Sequence, residues 1–251
     1  MGDYGEVLYK RAIGELPEME SARSTAARMK AYVRPGDRIL DVGCGAGHYL
    51  RSLRRAIDVP FTYVGMDATP GYIELARRAW PQDSSASFQV GDIFSLPFDD
   101  AAFDVVMSCN LLLHLPSIQR PLTELVRVAR RRTLVRTLVG DRSFRILEVR
   151  SAATQDPTGD EEFDEHGEPR GFSYYNIYST RYVSRVLTSL PRVRSHEIAP
   201  DADFDPASLD AAQSLHAAAN KTRLVGGWQV NGYVLLPWQF VSVELNGGRE
   251  E

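Results

Sequence analysis

Arg38-Ile39-Leu40-Asp41-Val42-Gly43-Cys44-Gly45-Ala46-Gly47-His48-Tyr49-Leu50 reads as the end of a strand, a sharp turn and the first turn of a helix. Ile39, Leu40 and Val42 form a short apolar run of the kind a buried strand carries. Gly43, Gly45 and Gly47 follow at alternate positions, where the chain must turn with positive φ and pass close to a ligand without a Cβ in the way. Leu50, Leu53 and Ile57 then repeat at helical spacing. A helix that begins directly after such a turn presents its first free N–H groups to whatever the turn approaches. A tight strand-to-helix turn with no ligand is the competing reading.

The dinucleotide fingerprint has the spacing Gly-x-Gly-x-x-Gly and an acid about 20 residues downstream. Here the third glycine comes one position early, and Asp41 stands two residues before the first. Phe61-Thr62-Tyr63-Val64-Gly65-Met66 is a second strand, closed by Asp67. A carboxylate at that strand end can accept both hydroxyls of a ribose; an acid that merely caps the helix starting at Thr69-Pro70 is the alternative. Ser87 to Gly91 is a third strand, ending at Asp92-Ile93. Phe103 to Asn110 is a fourth, running into Leu111-Leu112-Leu113-His114-Leu115-Pro116. Leu122 to Val128 is a helix, with Arg127 and Arg130 to Arg132 read as cations at its C-terminal end. Thr133 to Val139 is a fifth strand. Strands joined by helices imply a parallel sheet with right-handed crossovers.

The string Asp-x-Gly-x-Gly-x-Gly, the Gly91-Asp92-Ile93 and Leu96-Pro97-Phe98 pattern, and the Asn110 and His114 pair resemble motifs of the class I S-adenosylmethionine methyltransferases. The resemblance covers about Asp37 to Val139 and is looser beyond. It implies an α/β, Rossmann-like, seven-stranded sheet, mostly parallel with an antiparallel closing strand and helices on both faces. It further implies that S-adenosylmethionine is the cofactor and S-adenosylhomocysteine the product. The cofactor-binding residues would be Asp41, Gly43, Cys44, Gly45 and Gly47 around the methionine half, and Asp67 with Ala68 at the ribose. Asp92 would accept from the adenine amino group with Ile93 as its backbone partner, and a carbonyl of Cys109 or Asn110 would face the cofactor's amino group. The four strand-end sites would meet in one crevice on the carboxyl side of the sheet.

His114 is the candidate base, since an imidazole near neutral pKa suits proton removal from a hydroxyl or amine; closure of the leucine-rich turn by hydrogen bonding is the competing reading. Phe172 to Ser179 is dense in aromatic and hydroxyl side chains, and Tyr174, Tyr175, Asn176 and Tyr178 are the candidate substrate residues. The expected organisation is an N-terminal helical lid (1–35), a cofactor-binding core (36–140), an insertion or substrate lid (141–178) and a C-terminal part completing the same sheet (179–251). Within it, Ser143 to Ala153 is read as a helix and Asp156 to Gly171 as an acidic loop. Val193 to Ile198 is a sixth strand, Leu209 to Ala219 a helix, Gly227 to Leu236 a hairpin turning at Asn231-Gly232, and Trp238 to Leu245 a last, alternating strand; this end of the chain resembles the antiparallel pair that closes the methyltransferase sheet. Trp228 is read as an edge-packing residue, with the substrate mouth as its other placement.

Composition narrows the partners. The chain has 251 residues, 43% hydrophobic, with a formal charge of −4. That length suits one elaborated α/β domain, and the charge offers no general attraction to nucleic acid or an anionic membrane. Two cysteines, Cys44 and Cys109, make no disulfide framework and have no metal spacing. His166 and its acidic neighbours match no ligand pattern either, so no metal is expected. No apolar signal core and no run of about 18 apolar residues is present, so a cytoplasmic enzyme acting on a small-molecule acceptor is expected. Methylation of RNA or protein, a nicotinamide-dependent dehydrogenase and a non-catalytic cofactor-binding module are the alternatives.

Overall fold

The computed structural model describes residues 3–149, 164–168, 170–201, 222–225, 228–231 and 234–246. Two helices lead the chain, α1 (Asp3–Ile13) and α2 (Glu20–Lys30). Then strands and helices alternate: β1 (Asp37–Val42), α3 (His48–Ala56), β2 (Phe61–Asp67), α4 (Pro70–Ala79), β3 (Ala86–Val90), β4 (Phe103–Cys109), α5 (Gln119–Val128) and β5 (Ala129–Gly140). The order β3-β2-β1-β4-β5 is parallel throughout. It reverses direction between β1 and β4, so the crevice of this open sheet lies at the carboxyl ends of those two strands. Beyond β5 lie β13 (Trp238–Leu245), antiparallel to it, and then β9 (Val193–Pro200), antiparallel to β13.

Alternation along each strand sends side chains to two separate cores. Leu40, Val42, Val106, Val135 and Val241 pack under α5 and α6 (Thr180–Thr188), with Leu122, Leu125, Val183 and Leu187. Ile39, Val105, Met107, Leu134 and Phe240 pack under α2, α3 and α4, with Ala22, Met29, Leu50, Leu53 and Ile73. Helices therefore cover both faces of a mostly parallel sheet, as the motif series implies.

Four local expectations are corrected. The sheet has eight strands instead of seven: β5 runs for 12 residues, and its last two, Val139 and Gly140, pair with the short β8 (Tyr178–Ser179). Arg130 to Arg132 belong to the start of β5 and not to a helix end. There Arg130 and Arg131 pair with Asp104 and Asp37, ion pairs that only strand register creates. Leu147–Val149 is a strand, β6, where a helix was read; it is antiparallel to β7 (Phe172–Tyr174), and this pairing overrides local propensity. The C-terminal hairpin does not close the main sheet. Instead β10 (Thr222–Val225), β11 (Trp228–Asn231) and β12 (Val234–Leu236) form a separate three-stranded sheet, while the last strand, Trp238–Leu245 as read from the sequence, joins the main sheet as β13. The acidic stretch at 156–163, the helix at 209–219 and Gly232 of the expected turn lie outside the described residues, as does the side chain of Trp228.

Candidate cofactor and active site

All three loop glycines adopt positive φ: 85° at Gly43, 54° at Gly45 and 75° at Gly47. Gly47 is the N-cap of α3. A Cβ on Gly43 would stand 2.8 Å from Leu111 Cδ2, and one on Gly45 would stand 3.0 Å from Leu8 Cδ1. A side chain at either position would crowd the end of a leucine, and both conformations penalise one. The loop is braced on β2, since the amides of Gly43 and Cys44 donate to the Met66 carbonyl at 2.7 and 3.1 Å.

The acids differ in their surroundings. Asp41 is 2% exposed and accepts a 2.6 Å hydrogen bond from the Tyr63 hydroxyl. Burial raises its carboxyl to about 7. Asp67, half-buried at the end of β2, links the strand to both neighbouring loops. Its Oδ2 accepts from the Gly45 amide at 3.0 Å and its Oδ1 from the Thr69 amide at 2.9 Å. An ionised carboxylate has about four lone-pair sites, so two such bonds leave capacity for hydroxyl donors. Asp92 is exposed, with Oδ1 accepting from the Phe94 amide at 2.9 Å; Ile93 beside it is buried and Ala68 is exposed. Cys44 and Cys109 are buried thiols, and burial pushes Cys109 up to about 12, so it stays neutral.

Asn110 ends β4 with φ 58°, a left-handed conformation in which asparagine is among the few tolerated side chains. Both ends of its side-chain amide are engaged. Nδ2 donates to the Tyr49 hydroxyl at 3.2 Å, which in turn donates to Ser21 Oγ at 2.9 Å. Oδ1 accepts from Arg136 Nη1 at 2.6 Å, and Arg136 Nε donates to Asp201 Oδ2 at 2.7 Å. Arg136 is 1% exposed, with its guanidinium 4.2 Å from the Trp238 ring centre. Sequence reasoning missed Tyr49, Arg136 and Asp201. The one readable signal was a charge inside the apolar run of the fifth strand.

His114 closes a 3₁₀ turn (Leu112–His114) and is exposed. Its Nδ1 lies 2.8 Å from the Tyr174 carbonyl, and its ring meets Tyr175 edge-on at 4.9 Å. A carbonyl only accepts, so Nδ1 carries a proton. Asn176 and Tyr178 face inward. Asn176 Nδ2 donates to the Leu115 carbonyl at 2.9 Å, and the Tyr178 hydroxyl lies 3.2 and 3.1 Å from the carbonyls of Leu112 and Leu115. Both are buried, and their polar groups brace the turn that carries His114.

The glycine loop, Asp67, Asp92 and Asn110 thus occupy the carboxyl edge of four adjacent strands. Residues 40–136 match the family described as methyltransferase domain. This stretch is similar to methyltransferase domains. Within it the chain is 38% identical, over 96 residues, to 2-methyl-6-phytyl-1,4-hydroquinone methyltransferase of Synechocystis sp., which is 38% of this chain and 30% of that protein. It is 34% identical over 94 residues to ajmaline N-methyltransferase of Rauvolfia serpentina, 36% of this chain and 32% of that protein. The chain therefore spans about a third of the length of these curated relatives. An S-adenosylmethionine-dependent methyltransferase from Methanosarcina mazei superposes with a TM-score of 0.54 at 16% identity, over 88% of this chain and 98% of that one. That likeness is one of fold.

S-adenosylmethionine is the cofactor that this similarity implies, and residues of the matched stretch have the donors and acceptors to fit it. The three glycines give the loop a positive-φ backbone that can approach a ligand without side chains of its own. Asp67 keeps acceptor capacity for two hydroxyls, and Asp92 has a second oxygen at the surface for an amino donor.

Proposed function

We propose that the protein is an S-adenosylmethionine-dependent methyltransferase that moves a methyl group to an oxygen or nitrogen of a small-molecule acceptor. The observation that carries this reading is the series of four sites at one sheet edge, at the point where strand order reverses. When bound, the cofactor supplies an electrophilic methyl on its sulfonium. The protein's own part is to hold, align and dry the reactants. Asp67 would hold the ribose hydroxyls, Asp92 and the Ile93 amide the adenine, and the glycine loop with the carbonyls around Asn110 the methionine chain. His114 would take a proton from the acceptor's O–H or N–H. Tyr174 and Tyr175 flank it on the substrate side, with Tyr175 fixing the ring edge-on and the Tyr174 carbonyl fixing the tautomer. The two curated relatives named above have small-molecule acceptors in their names, and the acidic net charge favours such an acceptor over RNA.

Calorimetric titration with S-adenosylmethionine and S-adenosylhomocysteine tests the cofactor. Micromolar binding of both is expected, weakened in Asp67→Ala and in Asp92→Ala. Unchanged binding in both variants would refute the cofactor placement. Transfer of labelled methyl to a panel of phenols, alcohols and amines then tests the reaction. Loss of the alkaline plateau in His114→Ala supports the base role, and an unaltered pH profile removes it.

A further inference from the structure

The ribbon of β6 and β7 runs beside the turn that carries His114. Leu147 stands opposite Tyr174 and Glu148 opposite Ser173. The same register continues through the Tyr175 amide, which donates to the Ile146 carbonyl at 2.8 Å, and through the bridge between Phe144 and Ile177. On the other edge of β7 the Asn176 amide donates to the Leu113 carbonyl at 2.9 Å.

Alternation divides this ribbon into two faces. Ile146, Tyr175 and Ile177 fall on one, and all three pack with Leu113, Leu138 and Trp238 at the carboxyl end of β5. Phe172 and Tyr174 fall on the other, their rings 5.1 Å apart, with the Arg145 guanidinium 5.3 Å from the Tyr174 ring centre. Glu148 is two residues on from Ile146, so it shares the first face. Tyr175 is its diagonal neighbour across the pair, a spacing that long and aromatic side chains bridge. Burial raises the Tyr175 hydroxyl above the ordinary tyrosine value, and Glu148 and Tyr4 add to the effect. Glu148 is exposed and has no ion pair or hydrogen bond among the described residues. Arg145 lies on the opposite face and donates to the Pro116 carbonyl at 2.6 Å, so it does not neutralise that carboxylate.

From β6 across β7 to the turn, the order is a carboxylate, an aromatic ring and an imidazole: Glu148, Tyr175 and His114. The last two have ring centres 4.9 Å apart. A carboxylate beside an aromatic face attracts a cation twice, by its own charge and by the ring quadrupole. We propose that Glu148 and the Tyr175 ring receive a protonated amine on the acceptor, while a second group of the same molecule, its nucleophilic oxygen or nitrogen, lies at His114. The assignment rests on the methyltransferase reading above and narrows its acceptor to a small basic compound. A protonated amine has no lone pair, so the group that is recognised is not the atom that is methylated.

The test uses two matched pairs of probes on the full chain saturated with S-adenosylhomocysteine. Tyramine and tyrosol share a phenol and differ by an ammonium or a hydroxyl at the end of the same short arm. Tryptamine and tryptophol differ in the same way on an indole. Calorimetry reads the four compounds against the wild-type protein, Glu148→Gln and Glu148→Lys. The wild type is expected to bind each amine about 10-fold or more tightly than its alcohol, the factor that a charge-assisted contact gives. Glu148→Gln should bring the members of each pair within about twofold of each other and leave the alcohols unchanged. Glu148→Lys should place the amines below the alcohols. Unchanged binding of S-adenosylhomocysteine shows that both variants are folded. An amine preference that survives in Glu148→Gln, equal weakening of amines and alcohols, or no preference in the wild type would overturn the assignment. So would a wild-type protein that binds S-adenosylhomocysteine and none of the four probes. No binding of S-adenosylhomocysteine would overturn the cofactor reading itself and the acceptor assignment with it, a result distinct from the others.

Discussion

Asp41 is 2% exposed at the end of β1, with the Tyr63 hydroxyl 2.6 Å from its carboxylate. Its carboxyl is raised to about 7 by burial, with the charge of Asp67 adding to the effect and the Tyr63 hydrogen bond opposing it. The unfolded chain releases this proton near pH 4, whereas the folded protein keeps it until about pH 7. Between those values the native state binds more protons than the unfolded one, so stability falls as pH rises through the window and is level above it. The loss is at most about 4 kcal/mol. Asp41→Asn keeps an acceptor for Tyr63 and removes the titration. Urea denaturation at pH 5 and pH 8 should find the variant gaining on the wild type as pH rises; parallel curves would mean that Asp41 is ionised throughout. The same scale explains why the motif residues alone do not make the site. Asn110 is readable as a strand-end asparagine, but its left-handed φ and its engagement by Tyr49 and Arg136 come from residues 61 and 26 positions away.

Three elements meet through the Arg136–Asp201 pair. Arg136 is on β5, Asp201 follows β9, and Trp238 opens β13, its carbonyl accepting from the Asp201 amide at 3.2 Å. The ion pair has side chains 2% and 0% exposed, so removing one partner leaves a buried charge uncompensated. Asp201→Ala should cost about 3–5 kcal/mol in chemical denaturation, and the double variant Arg136→Met with Asp201→Leu should recover most of it. A loss under about 1 kcal/mol, as for an exposed pair, would show that water reaches the site. A second joint is the N-cap of α6. Ser179 Oγ accepts from the Tyr182 amide at 3.2 Å. Ser179→Ala should lower stability by about 1 kcal/mol, measured by the same denaturation.

For the whole molecule, ligand binding is coupled to folding. A ligand present at about 100 times its dissociation constant adds roughly 2.7 kcal/mol, which for a chain of this size raises Tm by roughly 5–10 °C. S-adenosylhomocysteine should produce that shift in the wild-type protein and a smaller one in Asp67→Ala at equal concentration. Equal shifts in the two would mean that the ligand is held away from β2.

The sequence by itself determined the parallel core, because its signals are local: an apolar run, a turn residue and a helical repeat each lie within a few residues of one another. It also placed Asp41, Asp67, Asp92 and Asn110 at successive strand ends, which is enough to set their common edge once the strands are parallel. What joins distant positions was decided only by the tertiary structure. Ser143 to Val149 is apolar enough for a helix and becomes a strand because β7 pairs with it; Arg130 to Arg132 leave the helix because register offers them Asp104 and Asp37. The inward turn of Asn176 and Tyr178, the burial of Arg136 against Asp201, and the meeting of Leu8 with His48 over Gly45 have no local signature. Each depends on backbone groups and charges brought together by packing, where burial decides whether a polar side chain needs a partner within the protein or from a ligand.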